Sequence, residues 1–535
     1  MRYIQHIIAF ITMVLLISNA QARTVEIKMS TCPKPYVENI RKMTASLGSA
    51  DELILNFDKA GKYEFDGSLK FKCNTTIKGV SSQATKVIVN EGFVNGKSKM
   101  QESSFFAIHG TSHKKVKATI KDIGFELASH KGILWENSPK HIIKIVDADG
   151  VVVDNVVSKT KNAVLTNLDL RECANVIVQN SEFENYNNCD DGGCLWSRGN
   201  QNNIVIRNNV FRKYGKDEVL GCWGGSHDND FDLKNVVVEN NEFYLVNKTG
   251  SKAMEISNFI TFSHAYGEGA KTYCTIDSVL FNNNKIILDA PIKRILKLDL
   301  SKYAIVRNIE ISNNEILNTS KSSSENLFMN DIDISAESFE NTNICIKNNI
   351  IRSHNKVLGD GHTFLSLKNA SVTLSNNIVE SDYPYTMMWC HGGTLNLNLT
   401  GNRFSELKML ARMNSSKGMN KVQITAINNE FTGATGLNCL NIKDMTLNFK
   451  KNIFNCSDSN LFLTEAAQRT SITFEENIVN ANKGKGRIYI NHSGNKYNFS
   501  YVNISNNTFS GVSKNDITAP FKNVRNLQVK GNNYR

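Results

Sequence analysis

Apolar and polar positions alternate along most of the chain, in short runs that recur at regular intervals. Typical copies are "NIVIRNNVF", "NVVVENNEF" and "NICIKNNII": a stretch rich in β-branched residues, then asparagine, one variable residue and an apolar residue. Alternation with a period of two is typical of β-strands. Aligned on the asparagine, the copies fall at Asn155, Ser181, Asn209, Asn241, Asn284, Asn314, Asn349, Asn377, Asn402, Asn429, Asn452, Asn477, Asn507 and Asn532.

Repeats of this length predict a solenoid. The steps are mostly 23 to 35 residues, with one of 43 between Asn241 and Asn284, where "SHAYGEGAKTY" is inserted. A unit this short buries its apolar face only by stacking on its neighbours. Asparagine suits the corner because it tolerates left-handed backbone angles and because its amide can bond to the asparagine of the next coil. The sequence therefore predicts an all-β, single-stranded parallel β-helix with an asparagine ladder. Leucine-rich repeats and propeller blades have other patterns.

The repeat and the opening segment "KAGKYEFDGSLKFKCNTTIKGVSSQATKVIV" together resemble the right-handed β-helix of the pectate-lyase-like superfamily. The resemblance covers about Leu53 to Arg535 and concerns the fold. It implies three strands per coil, with the asparagine turn joining the second strand to the third. The residues after that turn would then form the third strand and the loop that returns to the first strand of the next coil.

Three regions are predicted along the chain. Residues 1–22 are interpreted as a cleavable signal peptide, because an apolar run follows Arg2 and small residues precede the expected cleavage site. Residues 23–52 form an N-terminal segment, and residues 53–535 form the β-helix domain. The sequence shows no obvious cover at the C-terminal end of the domain.

A short helix is predicted within the N-terminal segment. Tyr36, Ile40 and Met43 are spaced as on one face of an amphipathic helix, and Gly48 is expected to end it. This helix would cap the first rung, which otherwise leaves an open sheet edge.

Composition adds export and charge to this picture. The net charge is +11, with lysine and arginine spread along the chain, and an exported basic protein favours an acidic polysaccharide over nucleic acid as its partner. No later apolar run is long enough to span a bilayer, so we expect a secreted or periplasmic monomer. Most of the 11 cysteines are expected to be small core residues, whereas Cys32 and Cys73 could form a disulfide.

The stretch "NNCDDGGCLWSRG" marks the predicted active site. In the register implied by the superfamily, its aspartates lie near the level of two acids on the next coil. Carboxylates one rung apart would be about 5 Å from each other, the spacing of retaining glycosidases. Aspartate and glycine also favour turns, so turn chemistry alone is an alternative explanation. The candidate catalytic residues are Asp190, Asp191, Asp217, Glu218 and Glu255.

Candidate substrate-binding residues surround these acids. Alternation along the strands directs Cys194 and Cys222 inward and places Arg198, Trp223 and Lys297 on the outer face. A flat tryptophan there could stack on a sugar ring, and the acids could instead hold a calcium ion. The substrate-binding candidates are Arg198, Trp223, His227, Lys252, His264 and Arg294. His391, farther along the rod, is interpreted as structural.

The leading functional hypothesis is an exported enzyme that cleaves a polysaccharide. Hydrolysis would use two of the five candidate carboxylates. β-Elimination would neutralise a uronate with Arg198, Arg294 or a metal ion, and would use a base such as Lys252, His264 or Tyr266. The alternative is a non-catalytic secreted or surface protein that binds glycans. Phosphate-binding loops, "HExxH" and "GxSxG" do not occur, which argues against nucleotide, zinc-protease and serine-hydrolase chemistry.

Overall fold

The chain forms a right-handed parallel β-helix in which three parallel sheets run along the rod. The computed structural model describes residues 22–65, 67–89, 104–127, 141–160, 166–187, 192–215, 218–223, 231–246, 256–263, 274–290, 292–299, 304–320, 329–335, 343–354, 362–456, 462–463, 467–481, 488–489, 498–518, 521, 524 and 526–535. We name the sheets first, second and third in the order in which each coil visits them.

The strands are assigned to the sheets by their hydrogen-bonded neighbours. The first sheet contains Leu69–Phe71, Ser104–His109, His141–Val146, Thr166–Arg171, Leu195–Arg198, Leu220–Trp223, Ile256–Ser263, Ile292–Asp299, Met329–Ser335, His362–Lys368 and Tyr385–Cys390. The second contains Thr24–Lys28, Glu52–Asn56, Asn74–Lys78, Ala174–Gln179, Gln201–Arg207, Phe231–Glu239, Cys274–Asn282, Ala304–Ser312, Ile344–Lys347, Ala370–Ser375, Gly393–Thr400, Ala467–Glu475, Asn498–Ser505 and Leu527–Lys530. The third contains Gly61–Phe65, Thr85–Val89, Glu182–Asn187, Val210–Gly215, Glu242–Val246, Lys285–Leu288, Glu315–Asn318, Ile350–Ser353, Ile378–Ser381, Glu430–Gly433, Ile453–Cys456, Ile478–Ala481, Thr508–Ser510 and Asn533–Tyr534.

Four long strands pass through a corner and belong to more than one sheet. Val116–Leu127 and Ala148–Lys159 join the second and third sheets. Arg403–Ile427 contributes to all three sheets, and Leu437–Lys450 to the first and second. A small separate pair consists of Phe462–Leu463 and Ile488–Tyr489.

Each rung stacks apolar side chains on apolar side chains. In the first sheet, Leu168, Leu195, Leu220 and Ile260 occupy one register position on successive strands, and all four are fully buried. Phenylalanines two residues after the ladder position stack in the same way where they occur on successive coils: ring centroids lie 5.4 Å apart between Phe183 and Phe211. Because one side of every strand faces the interior, the core is continuous along the rod.

The asparagine ladder is confirmed from Asn209 to Asn532. At each step the side-chain Nδ2 and the backbone N–H of one asparagine both donate to Oδ1 of the asparagine on the next coil. For Asn314 and Asn349 the distances are 2.9 Å and 3.0 Å. Nδ2 of Asn314 also donates to the carbonyl oxygen of Phe281, at 3.0 Å. The ladder side chains therefore satisfy buried backbone groups as well as each other.

The structure assigns the two roles of the corner to two different residues, which corrects the interpretation that one asparagine does both. The left-handed backbone angle belongs to the residue before the ladder position, such as Asn208 (φ 57°) before Asn209 and Asn313 (φ 56°) before Asn314. Asn155 itself has φ 51°, so it is a left-handed corner residue and not a ladder member. The ladder position on that coil is Val156, whose N–H donates to Oγ of Ser181 at 3.0 Å.

Helix α1 (Tyr36–Thr44) covers the beginning of the rod, as predicted, and Val37 and Ile40 are its buried residues. Nη2 of Arg41 donates to the carbonyl oxygen of Ser68 at 2.8 Å, at the entry to the first strand of the first sheet. Met43 was expected on the buried face, but it is 41% exposed. The helix ends at Thr44, before Gly48, and Met43 in its last turn faces solvent.

The predicted disulfide between Cys32 and Cys73 is not formed, because both thiols are free. Cys194 and Cys222 are buried in the core, as expected from the alternation. A second helix, α2 (Lys514–Thr518), buries Ile517 near the other end of the described chain. Among the described residues, no helix is long and apolar enough to cross a membrane.

Candidate active site on the outer face of the first sheet

From the strand His141–Val146 onward, one residue of each successive first-sheet strand lies at the same register position on the side away from the core. We call this line of residues the central strip: Lys144, Asp169, Trp196, Gly221, Thr261, Lys297, Asp333, Ser366, Trp389 and Arg412. At about 4.8 Å per rung, its nine steps extend roughly 43 Å. Its polar and aromatic side chains differ in exposure: Lys144, Lys297, Trp389 and Arg412 are partly exposed, whereas Asp169, Trp196, Thr261, Asp333 and Ser366 are buried.

A buried carboxylate organises the first part of the strip. Asp169 is fully buried, and its Oδ1 accepts hydrogen bonds from Nε and Nη2 of Arg198 on the next coil, at 2.9 Å and 2.7 Å. Its Oδ2 accepts from Nε of Arg171 at 2.8 Å. The ring of His141 adds a contact from Nε2 to Oδ2 at 3.3 Å. The single carboxylate therefore fixes two arginines whose side chains remain 37% (Arg171) and 24% (Arg198) exposed.

Burial and charge act in opposite directions in this cluster. Burial alone would raise the pKa of Asp169, but His141, Arg198 and Arg171 outweigh it and lower that pKa. Burial lowers the pKa of His141 to about 3, even though the charge of Asp169 opposes the shift. At neutral pH the histidine is therefore a neutral ring beside a carboxylate, and the two guanidinium groups carry the positive charge.

Glu218 and the indoles of Trp196 and Trp223 lie next along the strip. Glu218 is 4% exposed, and Oγ1 of Thr261 donates to its Oε1 at 2.7 Å. A Cβ atom at Gly221 would lie 2.7 Å from Oε2 of Glu218 and 2.4 Å from Nε1 of Trp223. Only glycine leaves room for both groups over this rung.

The second part of the strip is built around His391. Nε2 of His391 lies 3.0 Å from Oγ of Ser366, and its ring centroid is 4.0 Å from that of Trp389. The guanidinium of Arg412 lies 5.1 Å from the Trp389 ring centroid. Both His391 and Trp389 are partly exposed. We call these four residues the His391 cluster.

Charged groups on four first-sheet strands surround His391. Nε of Arg294 donates to Oδ2 of Asp333 at 2.6 Å, and this ion pair lies beside the cluster. Burial lowers the pKa of His391; Asp333 opposes that shift, whereas Arg294, Arg412 and Lys368 add to it. The ring is therefore more readily neutral than an exposed histidine.

A second acid lies on the strand that carries Asp333. Asp331 is 1% exposed, and its two oxygens lie 3.2 Å and 3.3 Å from Nε2 of His362. Asp331 and Asp333 point to the same side of the strand because they are two residues apart. Both carboxylates are held by basic groups, which makes them part of the framework of this region.

Four residues that the sequence selected are described, and all four are on or beside the strip. Arg198 and Arg294 face outward, each held by an aspartate that the sequence analysis did not select. Glu218 lies at the strip. Trp223 is also on the outer side, but it is only 7% exposed and packs on Trp196, with ring centroids 5.2 Å apart. The partly exposed indole is that of Trp389.

Four of the five acidic candidates lie outside the described residues: Asp190, Asp191, Asp217 and Glu255. The same holds for four other candidates: His227, Lys252, His264 and Tyr266. Within the part of the chain that the structure describes, no three His, Cys, Asp or Glu side chains are grouped so as to hold a metal ion. Sequence reasoning missed Asp169, Asp333 and the His391 cluster. Their common feature is the register position: Asp169, Asp333 and the residues of the His391 cluster occupy or adjoin the same position on their first-sheet strands.

No family model matches the chain, and no curated relative matches it. Among solved structures, the chain is similar to a family 28 exopolygalacturonase from Yersinia enterocolitica (12% identity over 87% of this chain and 79% of that chain, TM-score 0.38). It is also similar to the tailspike gp61 of Pseudomonas phage phi297 (9% identity, 89% and 76%, TM-score 0.35). A third similar structure is the catalytic unit of a GH87 α-1,3-glucanase from Streptomyces thermodiastaticus (13% identity, 84% and 70%, TM-score 0.28). The predicted parallel β-helix and its asparagine ladder are confirmed by the structure itself.

Proposed function

We propose that the protein degrades an acidic polysaccharide that lies along the central strip, and that it hydrolyses the glycosidic bond beside Glu218. The observation that carries this proposal is the position of the Glu218 carboxyl. It is buried over Gly221 next to the Trp223 indole, and the hydroxyl of Thr261 donates a hydrogen bond to its Oε1. A carboxyl at this position of the strip can act as a general acid that protonates a leaving oxygen.

Hydrolysis needs a second carboxylate. Asp190, Asp191 and Asp217 are the candidates, since in the chain they precede the strands that carry Trp196 and Gly221. One of them would act as nucleophile or as the base that activates water, while Glu218 protonates the oxygen of the departing sugar. Glu255 is the remaining candidate for this role.

Positive charge along the strip supports an acidic ligand. The arginines Arg171, Arg198 and Arg294 are each partly exposed, and each is oriented by an aspartate. Guanidinium groups held in this way bind carboxylates with defined geometry. Lys297 lies between Thr261 and Asp333 on the strip and adds a further cation.

The test uses the full chain with a panel of acidic and neutral polysaccharides, following both new reducing ends and the ultraviolet absorbance of unsaturated uronates. Hydrolysis produces reducing ends without that absorbance. Replacing Glu218 by Gln is expected to lower turnover by about 10²–10⁴-fold. Glu315→Gln, an exposed carboxyl on the third sheet, is the matched control and should keep full turnover. Full activity of folded E218Q would overturn the assignment of Glu218.

β-Elimination is a second candidate reaction, favoured by the His391 cluster. A neutral imidazole there could remove the proton beside a uronate carboxylate, while Arg294, Arg412 and Lys368 neutralise that carboxylate. Elimination would produce reducing ends together with ultraviolet absorbance, and His391→Gln would abolish both. If neither signal appears with any acidic polysaccharide and binding persists, the non-catalytic glycan-binding hypothesis takes their place.

A further inference from the structure

A cluster of basic residues lies away from the central strip, at the corner where the chain leaves the strand Ser104–His109 for the second sheet. A tight turn holds it: the N–H of Thr111 donates to the carbonyl oxygen of Lys114 at 3.0 Å, and the N–H of Lys114 donates back at 3.1 Å. We call His113, Lys114, Lys115 and Lys117 the basic corner. All four side chains are exposed.

The basic corner opens onto a broad cavity of about 800 Å³. The other lining residues are uncharged except for Asp149. They are Ser49, Ala50, Asn74, Asp149, Gly150 and Asn175. Oδ1 of Asn74 accepts a hydrogen bond from the backbone N–H of Lys117 at 2.8 Å. This bond connects a lining residue of the cavity to the basic corner. The cavity is therefore a formed depression with cationic side chains around it.

Charge in this depression is unbalanced. Asp149 is the acid among the lining residues, and its Oδ1 already accepts a hydrogen bond from Asn175 at 2.6 Å. Across the described ranges, no ion pair joins Lys114, Lys115 or Lys117 to a carboxylate. Clustered cations in a concave surface raise the local concentration of anions.

The basic corner contacts the end of a first-sheet strand that contributes to the central strip. Nζ of Lys115 donates to the carbonyl oxygen of Glu172 at 3.4 Å, and Glu172 directly follows Arg171 at the end of a first-sheet strand. Arg198 is the neighbour of Arg171 on the next strand. One contact thus links the basic corner to the strand that ends at Arg171, and the carboxylate of the intervening Glu172 accepts hydrogen bonds from Asn200. The turn belongs to a coil four rungs before that of Gly221, which is roughly 19 Å along the rod.

We propose that the basic corner is a second, non-catalytic binding site that takes the carboxylate or sulfate groups of an acidic glycan where the chain passes beyond the central strip. The site depends on the proposed function only for the class of ligand, since its cavity and charge stand independently of any reaction. Its role is to hold a long anionic chain while a bond is cleaved about four rungs away.

The test measures binding without turnover. Fluorescein-labelled oligogalacturonate is titrated by anisotropy into the full chain carrying Glu218→Gln, with and without Lys114→Glu and Lys117→Glu together. Because two cations become anions, we expect the double variant to weaken binding about tenfold at low salt, with the difference shrinking as salt is added. Lys285→Glu with Lys514→Glu changes the net charge equally at exposed positions elsewhere and is expected to leave affinity within about twofold.

Two further probes define the ligand. A heparin-derived oligosaccharide serves as a sulfate-rich probe in place of the carboxylate-rich oligogalacturonate. Weaker binding of either probe by the double variant supports the site. Equal affinities of the double variant and its charge-matched control would overturn it. An equal loss for duplex DNA would also overturn it, because that result indicates an unspecific basic patch. If no polysaccharide is cleaved but the affinity loss is seen, the proposed hydrolysis fails and the basic corner stands.

Discussion

Arg198 forms two hydrogen bonds to Oδ1 of Asp169, a residue that lies on the previous coil and is completely buried. The pair joins two rungs of the first sheet, and it holds the guanidinium against the ring of Trp196, 4.8 Å from the ring centroid. A buried charge thus positions an exposed one, which is how a surface arginine acquires a fixed orientation for binding.

Removing that buried charge is expected to destabilise the protein. Asp169→Asn keeps the shape of the side chain but leaves Arg171 and Arg198 without their counter-ion. Breaking a buried pair in this way costs about 3–5 kcal/mol. Urea unfolding measures the change in the free energy of unfolding. Asp232→Asn is the control, because the Asp232 side chain is 49% exposed, and its loss should cost less than about 1 kcal/mol.

The neutral state of His141 predicts how stability depends on pH. The pKa of His141 is about 3 in the folded protein, whereas an unfolded chain has an ordinary histidine pKa near 6.5. The unfolded state therefore binds the extra proton first, and the stability present above about pH 6.5 is lost as the pH falls toward 3. The expected slope from this one group approaches 1.4 kcal/mol per pH unit.

The contribution of His141 is isolated by comparison with a variant. His141→Gln should have a shallower pH dependence of the unfolding free energy between about pH 6 and 4. His354→Gln, at a side chain that is 47% exposed, should retain the slope of the unmodified protein. Identical slopes in the unmodified protein and His141→Gln would show that the buried ring does not resist protonation.

Gly221→Ala tests the crowding at the candidate active site. The new methyl group would lie 2.4 Å from Nε1 of Trp223 and 2.7 Å from Oε2 of Glu218, so both side chains must move. We expect a loss of about 1–3 kcal/mol in unfolding free energy and a changed near-ultraviolet circular dichroism signal from the indoles. At Gly436 an added Cβ meets no atom within 4 Å, so Gly436→Ala should change neither measurement appreciably.

The ladder predicts an unequal cost for two asparagine substitutions. Asn314→Ala removes the acceptor for the N–H and Nδ2 of Asn284, at 2.9 Å and 3.1 Å, and leaves buried groups unsatisfied. Its cost in thermal or urea unfolding is expected to be about 2–4 kcal/mol. Asn480→Ala also removes a side-chain hydrogen bond between rungs, from Nδ2 of Asn480 to Oδ1 of Asn455 at 2.9 Å, but this bond is exposed. Its loss should cost less than about 1 kcal/mol of unfolding free energy. Equal costs would contradict a stabilising role for the buried ladder.

Local pattern determined the solenoid. Alternation, repeat length and the corner asparagines predict parallel coils and a ladder because each property is repeated in every unit, and stacking of identical units has few geometric solutions. The same reasoning directed Cys194 and Cys222 inward and Arg198 outward. It misassigned Asn155, since two adjacent asparagines at most corners make the left-handed position and the ladder position indistinguishable in the sequence.

Tertiary structure decided which charges meet. Asp169 and Arg198 are 29 residues apart in the chain, and Arg294 and Asp333 are 39 apart; their encounter depends on the lengths of the intervening loops. Loop lengths vary from coil to coil, so a shift of one residue in register would move any of these groups to the opposite face. The same holds for His391, which the sequence indicated as a structural residue and which the fold places beside Trp389 and Ser366 on the outer face. The sequence therefore predicts the rod, whereas the contacts that give its surface a chemistry exist only once the coils are stacked.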